Sequence, residues 1–231
     1  MHLVSQSVLP TVSGSDSQPW LEVFVRIEDD DGHWLEPQHF LRAVEHAGEV
    51  DRLDAAVLQQ ILAACRGRAD IWERYEAISV NVSVHSLHSE RYLSRAVELV
   101  KEYGIEPGRL AVEVDHGVRS EDLNRALPGI EMLARAGIRL VIDGCTDTRV
   151  LRLARSLRPA MVKVSPALID AARLDPVADA ELQAVITTAR VLGSRLSAKN
   201  VDRVQDGPKL AALGFELYQG RGIEAMGPLL H

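Results

Sequence analysis

Six polar side chains stand at or near the ends of short apolar runs, where a strand-forming sequence would otherwise continue. They are Asn81, Glu113, Asp143, Lys163, Lys199 and Gln219. Carboxylate and amide oxygens are ligands of hard divalent cations, and lysine ammonium groups bind phosphate. Taken singly, each position is also typical of a strand end that turns toward solvent. If the runs are parallel strands of one sheet, their carboxyl ends share an edge, and together they predict a cation or phosphate site.

The runs that carry these residues alternate with longer amphipathic stretches. The apolar runs, which predict strands, cover residues 3–9, 21–27, 77–82, 110–114, 139–142, 160–164, 195–198 and 216–218. Helical patterns occur near residues 37–47, 52–66, 89–103, 121–135, 147–157, 175–192 and 204–212. Short Val-, Ile- and Leu-rich strands alternating with helices indicate a parallel sheet. About eight strands in this length favour an α/β fold closed into a (β/α)8 TIM-like barrel over an open sheet.

Short polar residues and glycines mark the ends of the helical stretches. Asp51, Ser120 and Asp175 are placed to accept hydrogen bonds from free backbone N–H groups at three helix starts. Five glycines follow helices where a left-handed backbone is favoured: Gly48, Gly104, Gly137, Gly193 and Gly214. The Ser-rich residues 11–18 lie between the first two strands and predict a hairpin loop.

The composition excludes several kinds of partner. The formal net charge of −7 over 231 residues argues against binding to duplex nucleic acid, which depends on neutralising phosphates. No stretch approaches the roughly 20 apolar residues of a membrane span, and the N-terminus lacks a signal-peptide pattern. Cys65 and Cys145 fit neither a disulfide framework nor a metal knuckle, and Cys65 is expected in the core. We therefore expect a cytoplasmic domain that does not itself bind a membrane.

Several motifs resemble the EAL domain family in their order and spacing. Glu22-Val23-Phe24-Val25-Arg26 is similar to the family's Glu-Ala-Leu-Leu-Arg, and Gln6 to the glutamine of its first strand. Further matches are Phe40-Leu41-Arg42-Ala43-Val44-Glu45, Ser79-Val80-Asn81-Val82-Ser83 and Leu110-Ala111-Val112-Glu113-Val114, then Asp143, Lys163, Lys199 and Gln219-Gly220. The resemblance implies one EAL-like domain over residues 1–231, of the kind often found in longer multidomain signalling proteins. It also implies an antiparallel first strand, which would place Glu22, at the start of run 21–27, at the catalytic rim.

Active members of this family hydrolyse cyclic di-GMP with two divalent cations, Mg²⁺ or Mn²⁺, and a water between them as the nucleophile. By the resemblance, the ligands of one metal correspond to Glu22, Asn81, Glu113 and Asp143, and the catalytic lysine to Lys163. Gly144 replaces the bridging aspartate of the second metal, and Lys199 replaces the glutamate assigned to metal binding and general base. The family's loop glutamate is His116 here, and its Lys-Ile-Asp ends in Ser165.

The formal charge of this centre distinguishes a site for one divalent ion from a site for two. A family-typical set of five carboxylates and one lysine has a charge of about −4, which suits two dications. Three carboxylates and two lysines leave about −1 here, so two dications would give about +3, at a Coulomb cost of several kcal/mol. We therefore expect one Mg²⁺ or Mn²⁺ at most and no hydrolysis, because the attacking water has no activator.

Two roles are open to a domain of this family that does not hydrolyse cyclic di-GMP. A cyclic-di-GMP receptor would use Gln6, Glu22, Phe24, Arg26, Asn81, Asp143 and Gln219, with Phe24, His85 and Tyr218 as candidates to stack on guanine. A pseudoenzyme scaffold would bind a protein partner and no nucleotide, and the loss of the family's tyrosine and proline beside Gln6 favours it. Phe24 and Tyr218 are also typical of a barrel core, and His85 and His116 of loops. We rank the receptor first, the scaffold second and residual phosphodiesterase activity third, and the rewritten loop at Gly144 puts the family's usual dimer in doubt.

Overall fold

The structure, a computed structural model, describes residues 1–15, 17–28, 33–35 and 37–229. Its strands are β1 (His2–Pro10), β2 (Trp20–Glu28), β3 (Trp34–Leu35), β4 (Ala77–Asn81), β5 (Leu110–Asp115), β6 (Arg139–Cys145), β7 (Met161–Val164), β8 (Arg195–Ala198), β9 (Leu217–Tyr218) and β10 (Gly227–Pro228). Its α-helices are α1 (Pro37–His46), α2 (Val50–Cys65), α3 (Ala69–Arg74), α4 (Glu90–Glu102), α5 (Ser120–Arg135), α6 (Arg149–Leu153), α7 (Pro166–Ala171), α8 (Pro176–Leu192) and α9 (Gly207–Leu213). None of these helices is long and apolar enough to cross a membrane.

Eight of the strands close into a barrel. β2 and the strands from β4 to β9 run parallel, each bonded to the next, whereas β1 pairs antiparallel with β2 on one side and β9 on the other. β3 pairs antiparallel with the last residues of β2, and β10 pairs with β1. The predicted (β/α)8 barrel with an antiparallel first strand is thus confirmed. Residues 11–18 form the predicted connection between β1 and β2, although Asp16 lies outside the described residues.

One end of the barrel interior is filled by apolar side chains, which we call the floor. The floor consists of Val8, Trp20, Ala77, Ala111, Val141, Met161 and Leu217, none of which has exposed surface. Below it, Glu76 accepts hydrogen bonds from Trp20 Nε1 at 3.1 Å, Arg139 Nη1 at 2.8 Å and Arg195 Nη1 at 2.6 Å. The Arg139 guanidinium also lies 4.4 Å from the centre of the Trp20 ring. These contacts cover the floor on its outer side.

The larger core lies between the barrel wall and the helices. The apolar faces of α2, α4, α5 and α8 pack against the outward side chains of the strands, with Leu58, Ile61 and Leu99 at most 1% exposed. Cys65 is buried in this core, as predicted, and burial raises the pKa of its thiol to about 12. Burial has the same effect on Cys145, and both cysteines are free. Neither thiol is a nucleophile near neutral pH.

The predicted helix caps are confirmed only in part. Asp175 caps α8 by accepting from the Val177 backbone N–H at 2.9 Å, and the five glycines that follow helices all have φ between +65° and +103°. Asp51 lies inside the first turn of α2, where it accepts from Ser89 Oγ and the Arg91 guanidinium instead. Donors from a segment distant in sequence thus take the place of the backbone N–H groups that were expected at the start of α2.

Ser120 is the second capping residue that the sequence misplaced. It is the first residue of α5, follows Arg119 at the cap position, and its Oγ accepts from Arg149 Nη1 at 3.1 Å. Two short helices, α3 and α7, were also missed, because six residues make fewer than two turns and show no helical period. The predicted helix near 147–157 is the short α6 followed by a separate 3-10 turn, Arg155–Leu157.

Candidate functional site

Directly above the floor, the interior of the barrel turns polar. Every second residue of a strand points into the barrel. The residue two positions from each floor residue therefore also points inward, and these residues together form a second layer. This polar layer consists of Gln6, Glu22, Ser79, Glu113, Asp143, Lys163 and Gln219, all of them buried. Most of its members are polar residues that the sequence placed at a common edge or on the first two strands. The structure brings them together inside the barrel and below the rim.

Lys163 is the centre of the polar layer. Its Nζ donates to Glu22 Oε2 at 2.5 Å and to Glu113 Oε1 at 2.6 Å, and its side chain is completely buried. A buried ammonium costs several kcal/mol unless it is paired and hydrogen-bonded, and two carboxylates satisfy that need here. Lys163 therefore joins β2, β5 and β7 across the barrel as part of the fold.

The three groups shift one another's pKa values. Burial and the charge of Glu22 raise the pKa of Glu113 to about 7, although Lys163 opposes the shift. Burial also acts to raise the pKa of Glu22, but the Lys163 charge and hydrogen bonds from Lys163 and Gln219 outweigh it, so that pKa is lowered. The pKa of Lys163 is raised because its carboxylate partners outweigh burial. Lys163 is therefore protonated near neutral pH.

Glu22 occupies a different place from the one that the sequence predicted. The antiparallel strand is β1, so the hairpin returns the chain and β2 runs parallel to β4, with Glu22 paired to Ser79. The start of β2 therefore lies at the floor, and Glu22 lies inside the barrel below the catalytic rim. Its carboxylate still meets the expected neighbours, accepting from Asn81 Nδ2 at 3.0 Å and Gln219 Nε2 at 2.8 Å.

Asp143 and Lys199 form a second ion pair near the rim. Lys199 Nζ donates to Asp143 Oδ2 at 2.7 Å, and the two side chains are 24% and 11% exposed, Lys199 being the more exposed. Gly144 follows with φ of 66° at an irregularity in the β6–β7 pairing, so it adds a bend and no ligand. Lys199, where the resemblance implied a glutamate for metal binding and general base, thus pairs with Asp143.

Whether a divalent metal fits depends on which carboxylate oxygens remain available as its ligands. Glu22 Oε2 and Glu113 Oε1 accept from Lys163, and Asp143 Oδ2 accepts from Lys199, whereas the buried Glu113 Oε2 and Asp143 Oδ1 have no hydrogen-bond partner. Across the described ranges, no three His, Cys, Asp or Glu side chains are grouped closely enough to hold a metal ion. Lysines thus hold three of the carboxylate oxygens that a pair of divalent metals would contact, and two further oxygens are left without a partner.

A cavity of about 380 Å³ opens beside the polar layer, at the carboxyl ends of β2, β4 and β5. Phe24, Arg26, Asn81 and Glu113 line it, together with residues of α1 and α2. The Arg26 guanidinium lies 6.0 Å from the centre of the Phe24 ring and donates to Met226 Sδ at 3.5 Å and to the Val25 carbonyl at 3.2 Å. Its contacts are weak ones, so the guanidinium is available to an anion in the cavity.

Three further residues that the sequence predicted at the ligand do not line this cavity. Gln6 is buried and donates to the Glu224 carbonyl at 2.6 Å. Tyr218 is in the core outside the barrel, in agreement with the alternative interpretation, and the exposed His85 lines a neighbouring cavity of about 400 Å³. His116 lies in the turn that follows β5, in agreement with the loop interpretation, but it is buried, and its Nε2 lies 3.4 Å from Asp147 Oδ2.

Two acidic residues that the sequence did not single out also line the first cavity. Asp115 lies two residues beyond Glu113 on β5, so the period of two could have found it. Asp54 lies on α2 and accepts from the Ser83 backbone N–H at 3.0 Å and from Ser86 Oγ at 2.6 Å. It therefore ties α2 to the loop that follows Asn81. Burial raises the pKa of Asp54 to about 6, although these hydrogen bonds oppose the shift.

Replacing Asp54 by asparagine is expected to reveal this raised pKa. The folded pKa of about 6 exceeds the ordinary 3.8, so the folded state keeps a proton that the unfolded state has released. Stability therefore falls as the pH rises from about 4 to about 6, and stays level above that range. The amide of an asparagine cannot ionise, so Asp54→Asn should be more stable than wild type by about 1–2 kcal/mol at pH 7.5 and equal to it near pH 4. Urea denaturation at both pH values measures this, and a less stable variant at pH 7.5 would contradict it.

The sequence comparisons agree with this architecture. The EAL domain family matches residues 10–225, and the chain belongs to that family. Among curated relatives, the signaling protein YkoW of Bacillus subtilis is 23% identical over 203 residues, covering 86% of this chain and 25% of that protein. The cyclic di-GMP phosphodiesterase PdeB of Shewanella oneidensis is 21% identical over 222 residues, covering 94% of this chain and 26% of that protein. The chain thus spans about a quarter of the length of the relatives it matches.

Solved structures share the fold at low sequence identity. The EAL domain of FimX from Pseudomonas aeruginosa, bound to c-di-GMP, has a TM-score of 0.83 and 18% identity, covering 98% of this chain and 90% of that one. The PaMucR phosphodiesterase, in a c-di-GMP complex, has a TM-score of 0.82 and 21% identity, covering 99% and 92%. At these identities the likeness establishes the barrel and its topology.

Proposed function

We propose that this EAL domain is a receptor that binds cyclic di-GMP and does not hydrolyse it. Membership of the family supports a role in signalling by this nucleotide, as do solved relatives described with c-di-GMP bound. The cavity at the carboxyl ends of β2, β4 and β5 has the position at which barrels of this type bind ligands. It also contains a cation, Arg26, that can pair with a phosphodiester.

The ion pair between Lys199 and Asp143 carries the proposal. It puts an ammonium, in place of the family's glutamate, 2.7 Å from a carboxylate oxygen of Asp143. Gly144 supplies no carboxylate beside it, and a lysine ammonium cannot accept a proton from water. Without a second metal or a base at this point, nothing activates a water for attack on phosphorus. Any cation at Glu113 Oε2 and Asp143 Oδ1 would be a single one, Mg²⁺ or Mn²⁺, with a structural role.

Substitution of Arg26 tests the receptor proposal. Arg26→Ala should weaken binding of cyclic di-GMP by about 10- to 100-fold, because a charge-assisted contact to phosphate is lost. Arg135→Ala is the matched control, since Arg135 lies in the last turn of α5 and is 82% exposed. Isothermal titration calorimetry measures both. Chromatography of the nucleotide after incubation with Mg²⁺ or Mn²⁺ should show no linear product; a product that Glu22→Ala abolishes would overturn the proposal in favour of an active phosphodiesterase.

A scaffold that binds only a protein partner is the second candidate. One contact favours it: the Gln6 amide already donates to the Glu224 carbonyl at 2.6 Å and is not presented to the cavity. On this proposal, calorimetry at high micromolar cyclic di-GMP gives no heat and no thermal shift. Binding that Arg26→Ala weakens would exclude it.

A further inference from the structure

The two lysines of the site have different surroundings. Lys163 is completely buried and held between two carboxylates, so its charge is neutralised within the barrel. Lys199 has one carboxylate partner in the structure, Asp143, and keeps 24% of its side chain exposed. Of the two ammonium groups, Lys199 is therefore the one that a ligand at the rim can reach.

We propose that the Lys199 ammonium takes the electrostatic role of the divalent metals and binds a phosphodiester of the nucleotide, so that binding requires no metal. The inference rests on the receptor function proposed above and specifies what replaces the metals. The residue types would allow a single cation, but the pairing of three carboxylate oxygens with lysines leaves the site less need of one.

The charge of the site supports metal-free binding. Glu22, Glu113 and Asp143 contribute three negative charges, and Lys163 and Lys199 contribute two positive ones, a sum of −1. A centre at about −4 that binds two dications is neutral overall. Counted over the same positions, the present site is thus within one charge of that balance without any metal. Added dications would instead repel the two lysines.

The position of Lys199 suits a ligand with two phosphates. Lys199 follows β8 and Arg26 lies on β2, and the barrel order β8–β9–β1–β2 places three strand steps between them. Three steps correspond to about 14 Å along the wall, so the two cations face the barrel mouth from different sides. The two phosphodiesters of a cyclic dinucleotide also lie on opposite sides of its ring. One can meet Arg26 while the other meets Lys199.

The backbone beside Lys199 fixes its place at the rim. Asn200 adopts a left-handed conformation with φ of 52°, and the Val201 backbone N–H donates to the Gln219 carbonyl at 2.9 Å. The chain therefore turns sharply after β8 and is bonded to the segment that follows β9. Because the backbone is held in this way before a ligand binds, little backbone entropy is lost when Lys199 binds an anion.

Calorimetry of cyclic di-GMP binding with and without metal tests the inference. Wild type should bind with the same Kd, within about twofold, in EDTA and in Mg²⁺, and titration with Mg²⁺ or Mn²⁺ alone should give no heat. Lys199→Met should weaken binding by about 10- to 100-fold in both buffers, and the weakening should shrink at high salt. Lys209→Met is the matched control, since Lys209 is 80% exposed on α9. Lys199→Glu, which restores a carboxylate, should create heat on titration with Mn²⁺. Thermal melts of each variant establish that it is folded.

Two results would overturn the inference and leave the receptor function intact: wild type that binds only with a divalent metal, or a folded Lys199→Met that binds like wild type. Wild type that binds under neither condition would overturn the receptor function itself. Equal binding of the wild type in both buffers, with weaker binding only in the Lys199 variants, supports the receptor function and the role of Lys199.

Discussion

Replacing Lys163 by methionine is expected to lower the free energy of unfolding by about 3–5 kcal/mol at pH 7.5. Methionine fills a similar volume but leaves Glu22 and Glu113 buried, without their shared cation and close to each other. Removing one partner of a buried ion pair costs more than the pair contributes, because the remaining charges are left uncompensated. Urea denaturation of Lys163→Met measures the loss, with the exposed Lys209→Met as the control for removal of a lysine charge.

The loss in Lys163→Met should be smaller at pH 5 than at pH 7.5. Even with Lys163 present, burial and repulsion from Glu22 raise the pKa of Glu113 to about 7. Without Lys163 the pKa of Glu113 rises further above the unfolded value, and the pKa of Glu22, which Lys163 lowers in the wild type, rises as well. The folded variant then binds more protons than the folded wild type and gains stability as the pH falls. Adding Glu22→Gln and Glu113→Gln to Lys163→Met should recover much of the stability at pH 7.5. A loss that is independent of pH and not recovered by the glutamines would show that packing, and not charge, is the cause.

Replacing Gly220 by alanine is expected to cost about 2–3 kcal/mol, although the change adds a single methyl group. A Cβ at Gly220 would collide with the backbone carbonyl and nitrogen of Val201. Backbone atoms cannot move aside as the end of a flexible side chain can, so the segment after β9 must separate from the turn after β8. That turn carries Lys199, and binding of an anion there should weaken together with stability.

Gly227→Ala provides a matched control for Gly220→Ala. No atom lies within 4 Å of a Cβ at Gly227, and neither glycine has a positive φ, so the two changes differ in their contacts and not in backbone preference. We expect Gly227→Ala to change the free energy of unfolding by less than about 0.5 kcal/mol. Equal denaturation midpoints for the two variants would contradict the close approach at Gly220.

The sequence predicted the barrel because its strands are short apolar runs that alternate regularly with helices. It predicted the grouping of Glu113, Asp143 and Lys163 for the same reason, since parallel strands bring equivalent positions together. It misplaced Glu22 because the direction of one strand depends on a hairpin, and the residues of a strand do not encode its partner's direction. Only the register of β2 with β4 shows that Glu22 lies below the rim.

Other features depend on contacts between residues distant in sequence. Asp51 and Ser120 have the residue types of helix caps, but Arg91 and Arg149 offer charged donors that a local pattern does not reveal. Asp54 lies in an ordinary helical period, and its importance follows from two donors, Ser83 and Ser86, in the segment that follows β4. The cavity near Arg26 likewise depends on how α1 and α2 pack over β2, which periodicity leaves open.

The apolar floor has a consequence for the kinetics of ligand exchange. With Val8, Trp20 and Met161 filling one end and the Glu76 contacts beneath them, a ligand of the polar layer must arrive and depart through the same mouth. A protein docked over that mouth without touching the ligand would slow arrival and departure by the same factor. It would lengthen the lifetime of the complex and leave the equilibrium affinity unchanged, since a shared barrier cancels from the ratio of the two rates.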